Sequence, residues 1–224
     1  MPEKLISAAI DGPVGAGKSS IARTAAKRLG FIYVDTGAIY RAVGLYCHRR
    51  GADLSSPEEI AALLPEIKPE IRLCDGVQRI FLNGEDVSEE IRLPEISMAA
   101  SAVSAVPEVR AALLDMQRKI AAENNVIMDG RDIGTVVLPD AQVKIFLTAA
   151  PEIRAKRRYD ELCAKGVRTT FEEVLADLNK RDYDDSHRAV APLRQAEDAV
   201  LADTSGLDFE QSCELVCNII KKKL

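Results

Sequence analysis

The stretch Gly12-Pro13-Val14-Gly15-Ala16-Gly17-Lys18-Ser19 constrains this chain more than any other. It fits G-x-x-x-x-G-K-[ST] and stands between an apolar run at 5–10 and a helix-compatible stretch at 18–29. Glycines at this spacing let the backbone turn so that successive N–H groups point at one centre, where the start of the following helix adds partial positive charge. Such a loop takes a polyphosphate, with Lys18 bridging the terminal phosphates and the Ser19 hydroxyl on Mg2+. Ser20 extends the same helix start.

The rest of the pattern agrees with a loop of this kind. Runs at 31–34, 126–128, 143–147 and 199–202 are, like 5–10, apolar nearly throughout and rich in β-branched residues, as strands buried on both faces are. Helix-compatible stretches at 18–29, 39–49, 107–123, 151–165, 170–186 and 208–221 lie between them. The alternation predicts an α/β fold of P-loop NTPase type, a parallel β-sheet of about five strands flanked by helices. Residues 53–104 break the rhythm. Short alternating pieces at 70–74 and 77–82, with Asp75-Gly76 and Asn83-Gly84 as hairpin signals, predict a small antiparallel β insert there. Residues 151–168 carry Arg154, Lys156, Arg157, Arg158, Lys165 and Arg168 against Glu152, Asp160 and Glu161, and read as a basic helical lid. Residues 1–224 are expected to form a single domain containing both pieces.

Composition removes several classes of function. With 35 Asp and Glu against 30 Lys and Arg, the net charge of -5 argues against a sequence-independent grip on nucleic acid. No apolar run approaches the about 18 residues of a membrane span, and the start Met1-Pro2-Glu3-Lys4 lacks the marks of a signal peptide. Neither nucleic acid nor membrane is therefore expected as a partner. The 5 cysteines, at 47, 74, 163, 213 and 217, are scattered, which fits a reducing cytoplasm, and with 2 histidines they do not suggest a zinc cluster. Phe209, Cys213, Val216, Cys217 and Ile220 fall on one stripe at helical spacing and read as core. Asp129, followed by Gly130, should emerge at the carboxyl edge of the sheet, where it could hold Mg2+ through water or cap a turn.

Two motifs mislead. Asn179-Lys180-Arg181-Asp182 matches a guanine-recognition box, but it lies in a predicted helix, and the D-x-x-G candidate at 203–206 follows it, the wrong order for a GTPase. Asp35-Thr36-Gly37 spells the aspartic-protease triplet, but no second copy supplies the paired carboxylate that chemistry needs.

The phosphate loop, Asp35-Thr36-Gly37-Ala38-Ile39-Tyr40-Arg41, Asp129-Gly130-Arg131-Asp132-Ile133-Gly134 and Arg181-Asp182-x-x-Asp185-x-x-Arg188, in this order and spacing, closely resemble the bacterial cytidylate kinases over about residues 5–190. The resemblance implies phosphoryl transfer from ATP, with Mg2+, to CMP or dCMP. It also implies a cytoplasmic monomer in which residues 53–104 form the enlarged acceptor domain. Loop residues Gly12, Pro13, Val14, Gly15, Ala16, Gly17, Lys18, Ser19 and Ser20 would then hold ATP. Arg41 and Arg131 match the positions that hold the acceptor phosphate, and arginine suits that task through paired, permanent hydrogen-bond donors. Asp132, Arg110 and Arg188 match base-binding positions; a carboxylate accepts from the cytosine amine while arginines donate to O2 and N3. Thr36 stands where family members often carry Ser. Arg181 and Asp185 match pentose contacts, with Ser101 supporting Asp185, and Lys18, Arg131 and Arg181 would carry catalysis by electrostatics. Arg181, Asp185 and Arg188 lie at i, i+4 and i+7 on one helical face, and Arg154, Arg157 and Arg158 share another that fits a lid over ATP. An exposed helix laced by ion pairs is the other reading of the first group, and a merely solvated basic face that of the second. A UMP/CMP or other nucleoside monophosphate kinase, and a nucleotide-dependent switch or RNA-binding regulator with a P-loop, are the other readings of function.

Overall fold

The computed structural model of the chain describes residues 5–74 and 77–223. In chain order the elements are β1 (Ser7–Asp11), α1 (Lys18–Leu29), β2 (Ile32–Asp35), α2 (Thr36–Arg49), α3 (Pro57–Leu63), β3 (Pro69–Cys74), β4 (Val77–Leu82), β5 (Glu85–Asp86), α4 (Pro94–Ser104), α5 (Pro107–Glu123), β6 (Val126–Gly130), β7 (Val143–Thr148), α6 (Pro151–Ala164), α7 (Phe171–His187), β8 (Val200–Asp203) and α8 (Phe209–Lys221). The chain folds as two compact units, Val34–Ala122 and the segments on either side of it.

The first unit is built on a five-stranded sheet in the order β2-β6-β1-β7-β8, with β1 parallel to both β6 and β7 and β7 parallel to β8. With its crossover helices it is the P-loop NTPase-type α/β fold that the alternation predicts. Every residue of β6 is buried, as an interior parallel strand requires. Ala8, Ile10, Ile127, Ile145 and Leu147 pack with Ile21, Ala22 and Ala25 of α1 and with Cys213, Val216, Cys217 and Ile220 of α8. Burying each large aliphatic side chain of this set contributes about 1.5 to 3 kcal/mol. The apolar stripe of α8 is thus confirmed with one exception: Phe209, the first residue of the helix, is 52% exposed. Register places Ile10 opposite Asp129 and Asp11 opposite Gly130, so the segments after β1 and β6 leave the sheet at one edge.

The second unit contains a three-stranded antiparallel sheet in the order β3-β4-β5, with β3 and β4 paired from Pro69↔Leu82 to Cys74↔Val77. The Asn83-Gly84 turn is present, both residues having positive φ, whereas the Asp75-Gly76 signal lies outside the described residues. Helices that the strand-centred reading of 53–104 passed over complete this region. Pro57 and Pro94 open α3 and α4 at a first-turn position where proline is favoured. Ile96, Ala99 and Val103 then fall on one buried face of α4 at helical spacing. Helix α2 begins at Thr36 rather than 39 because the Asp35 carboxylate accepts from Ala38 N (3.0 Å) and caps it. Among the described residues no single helix is long and apolar enough to cross a membrane.

Candidate active site

The phosphate loop follows directly on β1. Gly12 has φ 151°, and a Cβ there would stand 2.0 Å from the Leu147 carbonyl oxygen, so no other residue fits. Gly17, in the left-handed region at φ 83°, leads into α1 without a side-chain cap, which leaves the first helical N–H groups to an anion. Lys18 is 6% exposed, and its Nζ donates to the carbonyls of Gly12 and Pro13, both at 2.7 Å.

Ser19 Oγ donates to Asp129 Oδ2 at 2.9 Å, and the Tyr33 hydroxyl donates to Asp129 Oδ1 at 2.9 Å. The buried Asp129 carboxylate is therefore held by Tyr33 on one oxygen and meets Ser19, at the end of the loop, with the other. Ser19 and Asp129 are hard oxygen donors of the kind Mg2+ prefers, and no group of three or more His, Cys, Asp or Glu among the described residues forms an all-protein cage. A cation held there would take most of its ligands from phosphates and water, which fits Mg2+. Tyr33 escaped sequence reasoning; the signal was a tyrosine inside a buried strand, whose hydroxyl needs a partner.

The outer side of the loop is held by α6 and α7. Asp182 Oδ1 accepts from Val14 N at 2.9 Å, and Arg154 Nη1 donates to Val14 O at 2.7 Å and to Asp182 Oδ2 at 2.6 Å. Arg154 Nε donates to Ala149 O at 2.8 Å, and the residue is 4% exposed. Asp182, the last residue of the misleading guanine box, thus lies within α7 and fastens the phosphate loop. The three arginines expected to share one basic face have three different settings. Arg157 donates to Thr204 O (2.8 Å) and Leu207 O (3.3 Å), while Arg158 pairs with Glu161 at 2.8 Å on the surface. All three lie on α6, but they do not share one setting, because what each one meets depends on α7 and on the loop after β8.

On the segment after β6, Arg131 Nε donates to Asp185 Oδ2 at 2.6 Å. Burial works against the Arg131 charge, but Asp185, then Asp129 and Asp182, outweigh it and move its pKa up. Asp132 is 4% exposed and faces Arg188 Nη2 at 3.4 Å. Arg181 is half-buried, and burial pulls its pKa down. Arg188 lies just past the end of α7 rather than on its face: its backbone is extended (φ -61°, ψ 144°), and Leu193 N turns back to Asp185 O at 2.8 Å. Its Nε donates to the carbonyl of Ala191, a non-glycine residue held at φ 49° (2.7 Å), so local strain helps set the guanidinium. Asp11 also escaped the sequence reading, although it immediately precedes the loop; its carboxylate accepts from Ile133 N and Gly134 N, both at 2.7 Å.

In the second unit, Arg41 Nη2 donates to Asp35 Oδ2 at 2.8 Å, and Arg41 Nε is buried without a hydrogen-bond partner among the described residues. Gln78 clasps the same turn, accepting from Asp35 N (2.8 Å) and donating to Asp35 O (3.3 Å). Thr36 is buried beside it in sequence. Arg110 is 8% exposed, lies 5.5 Å over the Tyr40 ring and donates to Ser104 O, while Ser101 is exposed on α4.

A family model described as cytidylate kinase matches residues 8–222. The chain belongs to the cytidylate kinase family. A cytidylate kinase of Caldanaerobacter subterraneus subsp. tengcongensis is 54% identical over 217 residues, covering 97% of this chain and 95% of that protein. One of Carboxydothermus hydrogenoformans is 51% identical over 215 residues, covering 96% and 97%. A crystal structure of an uncharacterized protein from Eubacterium ventriosum aligns with TM-score 0.55 over 96% of this chain and 98% of that one, at 12% identity, a likeness of fold alone. The chain is an enzyme, a (d)CMP kinase, and its substrates are nucleotides.

For this kinase the setting of Lys18 carries a pH dependence. Burial first, and then the Arg131 charge, draw its pKa down to about 7. A polyphosphate against Nζ favours the ammonium form, so binding takes up a proton wherever Lys18 is otherwise neutral. Nucleoside triphosphate affinity is thus expected to fall as pH rises above 7, by at most about tenfold per unit. Calorimetric titration at about pH 8 in buffers of different ionisation enthalpy should show net uptake approaching one proton. Uptake of none would show that Lys18 already carries its proton before the phosphates bind.

Proposed function

We propose that this kinase transfers the γ-phosphoryl group of ATP to CMP or dCMP, giving ADP and CDP or dCDP. The observation that carries the reading is the buried Asp132–Arg188 pair beside Arg131, directly after the strand that aims Asp129 at the phosphate loop. In this reading residues 12–20 enclose the ATP phosphates, and Arg154, Arg157 and Arg158 serve the ATP side within a lid at 151–168. Arg154 acts there through its hold on Val14. Ser19, and Asp129 through water, would hold Mg2+, which draws charge from the transferring phosphoryl group when bound.

The acceptor roles in this reading are those of the family positions that this sequence matches. Arg41 and Arg131 take its phosphate, Asp132, Arg110, Arg188 and Thr36 its base, and Arg181, Asp185 and Ser101 its pentose. A carboxylate suits the cytosine amine, whereas the O4 of uracil would face it without a donor, at a cost of about 1 to 3 kcal/mol. No general base is needed, because the second ionisation of a phosphate monoester lies near pH ~6 and leaves the acceptor dianionic at neutral pH. What the protein supplies is alignment and charge, from Lys18, Arg131 and Arg181, around a loose transition state. The enzyme acts as a cytoplasmic monomer, without nucleic-acid or membrane partners.

The test is ADP formation from ATP and Mg2+ with CMP, dCMP, UMP, AMP and GMP supplied separately. Turnover restricted to CMP and dCMP is expected. Equal turnover with UMP or AMP would remove the cytosine reading, and ATP hydrolysis independent of any acceptor would favour a switch.

A further inference from the structure

Asp11 ends β1 one residue before the phosphate loop, is 5% exposed, and commits both carboxylate oxygens to one distant segment. The N–H groups it accepts from, those of Ile133 and Gly134, open the short π-helical turn Ile133–Val137. Unpaired N–H groups at the start of a helical turn are normally met by the side chain of the residue just before it, and aspartate is among the best at this. Here that residue is Asp132, and its side chain makes no cap hydrogen bond. Its carboxylate stands 3.4 Å from Arg188 Nη2 instead.

We propose that Asp11 is a positioning residue for base recognition: by capping the 133–137 turn from β1, it keeps the Asp132 carboxylate turned away from its own turn and toward the acceptor base. The proposal rests on the reading of Asp132 as the group that accepts from cytosine. Parallel register brings Asp11 level with Gly130, two residues before Asp132, which makes the cap possible. Electrostatics act in the same sense. Burial pushes the Asp11 pKa up to about 6 against the two backbone N–H groups that lower it, and the Asp132 charge raises it further. Two neighbouring carboxylates disfavour each other's charge, which adds to the bias of Asp132 toward Arg188.

The experiment uses the full chain with Asp11→Asn, which keeps the size and one acceptor oxygen but turns an amide N–H toward a backbone donor. KM for CMP is expected to rise roughly tenfold, with the preference for CMP over UMP falling in step, while KM for ATP stays within about twofold. In an Asp132→Ala background, Asp11→Asn is expected to leave the CMP to UMP ratio where Asp132→Ala alone puts it. Equal losses for ATP and CMP, or the same change of ratio in both backgrounds, would overturn the proposal and mark Asp11 as structural. A full Asp132→Ala effect with a silent Asp11→Asn overturns it alone, whereas a silent Asp132→Ala removes the base reading and the proposal with it. Should Asp11→Asn not fold, Asp11→Ser, whose hydroxyl retains an acceptor, is read in the same way.

Discussion

Lys18→Met is expected to lower kcat by about a thousandfold while leaving the protein folded, because it removes a preorganised positive charge from where charge gathers in the transition state. Two features make the loss large. Lys18 is 6% exposed, so water cannot replace its charge cheaply, and its Nζ is held at the loop carbonyls of Gly12 and Pro13. The fold itself should not suffer. A lysine whose pKa is lowered from 10.5 to about 7 binds its proton more weakly in the folded chain than in the unfolded one. Between those two values the unfolded state carries more protons, so wild-type stability gains from rising pH there, and at neutral pH the buried charge is a burden. Lys18→Met removes that burden together with the pH slope. Single-turnover transfer and thermal unfolding at several pH values measure the two effects separately. A variant that unfolds at a lower temperature in proportion to its lost activity would show that Lys18 serves the fold and not the reaction.

Asp132→Ala is the second large effect, expected to fall on one substrate. It removes a 4% exposed carboxylate that faces Arg188 and leaves a buried guanidinium without that partner. Losing a charged hydrogen-bond partner of the base costs about 1.5 to 3 kcal/mol, so kcat/KM for CMP should drop by roughly ten- to a hundredfold while KM for ATP barely moves. Asp132→Asn should behave differently, because an amide can turn its N–H toward uracil O4; its signature is a shift of preference toward UMP larger than its loss of turnover. Initial rates with CMP and UMP in competition give the ratio directly. Parallel losses for CMP and ATP in Asp132→Ala would deny this residue any part in reading the base.

Much of this enzyme was legible in one dimension. The phosphate loop, the five strands and the helices at 18–29 and 107–123 rest on glycine conformations, apolar runs and local spacing, each of which a chain carries in consecutive residues. The second unit was less legible: turn signals drew attention to β3 and β4, while the weaker helical periods of α3 and α4 went unread.

Tertiary structure decided the rest, because the partners are far apart along the chain and meet only through strand register and helix packing. Val14 and Asp182 are 168 residues apart, Asp11 and Gly134 are 123 apart, and Tyr33 reaches Asp129 across 96. No spacing rule could show that Arg154 is an internal tie of the phosphate loop while Arg158 lies on the surface, since both are basic residues on one helix. Nor could it show that Arg188 leaves α7 before using its side chain. The sequence by itself determined which charged and polar groups this enzyme has and where along the chain they lie. The packed fold decided which of them are pointed at one another, because hydrogen-bond direction and burial exist only once distant segments have been brought into contact.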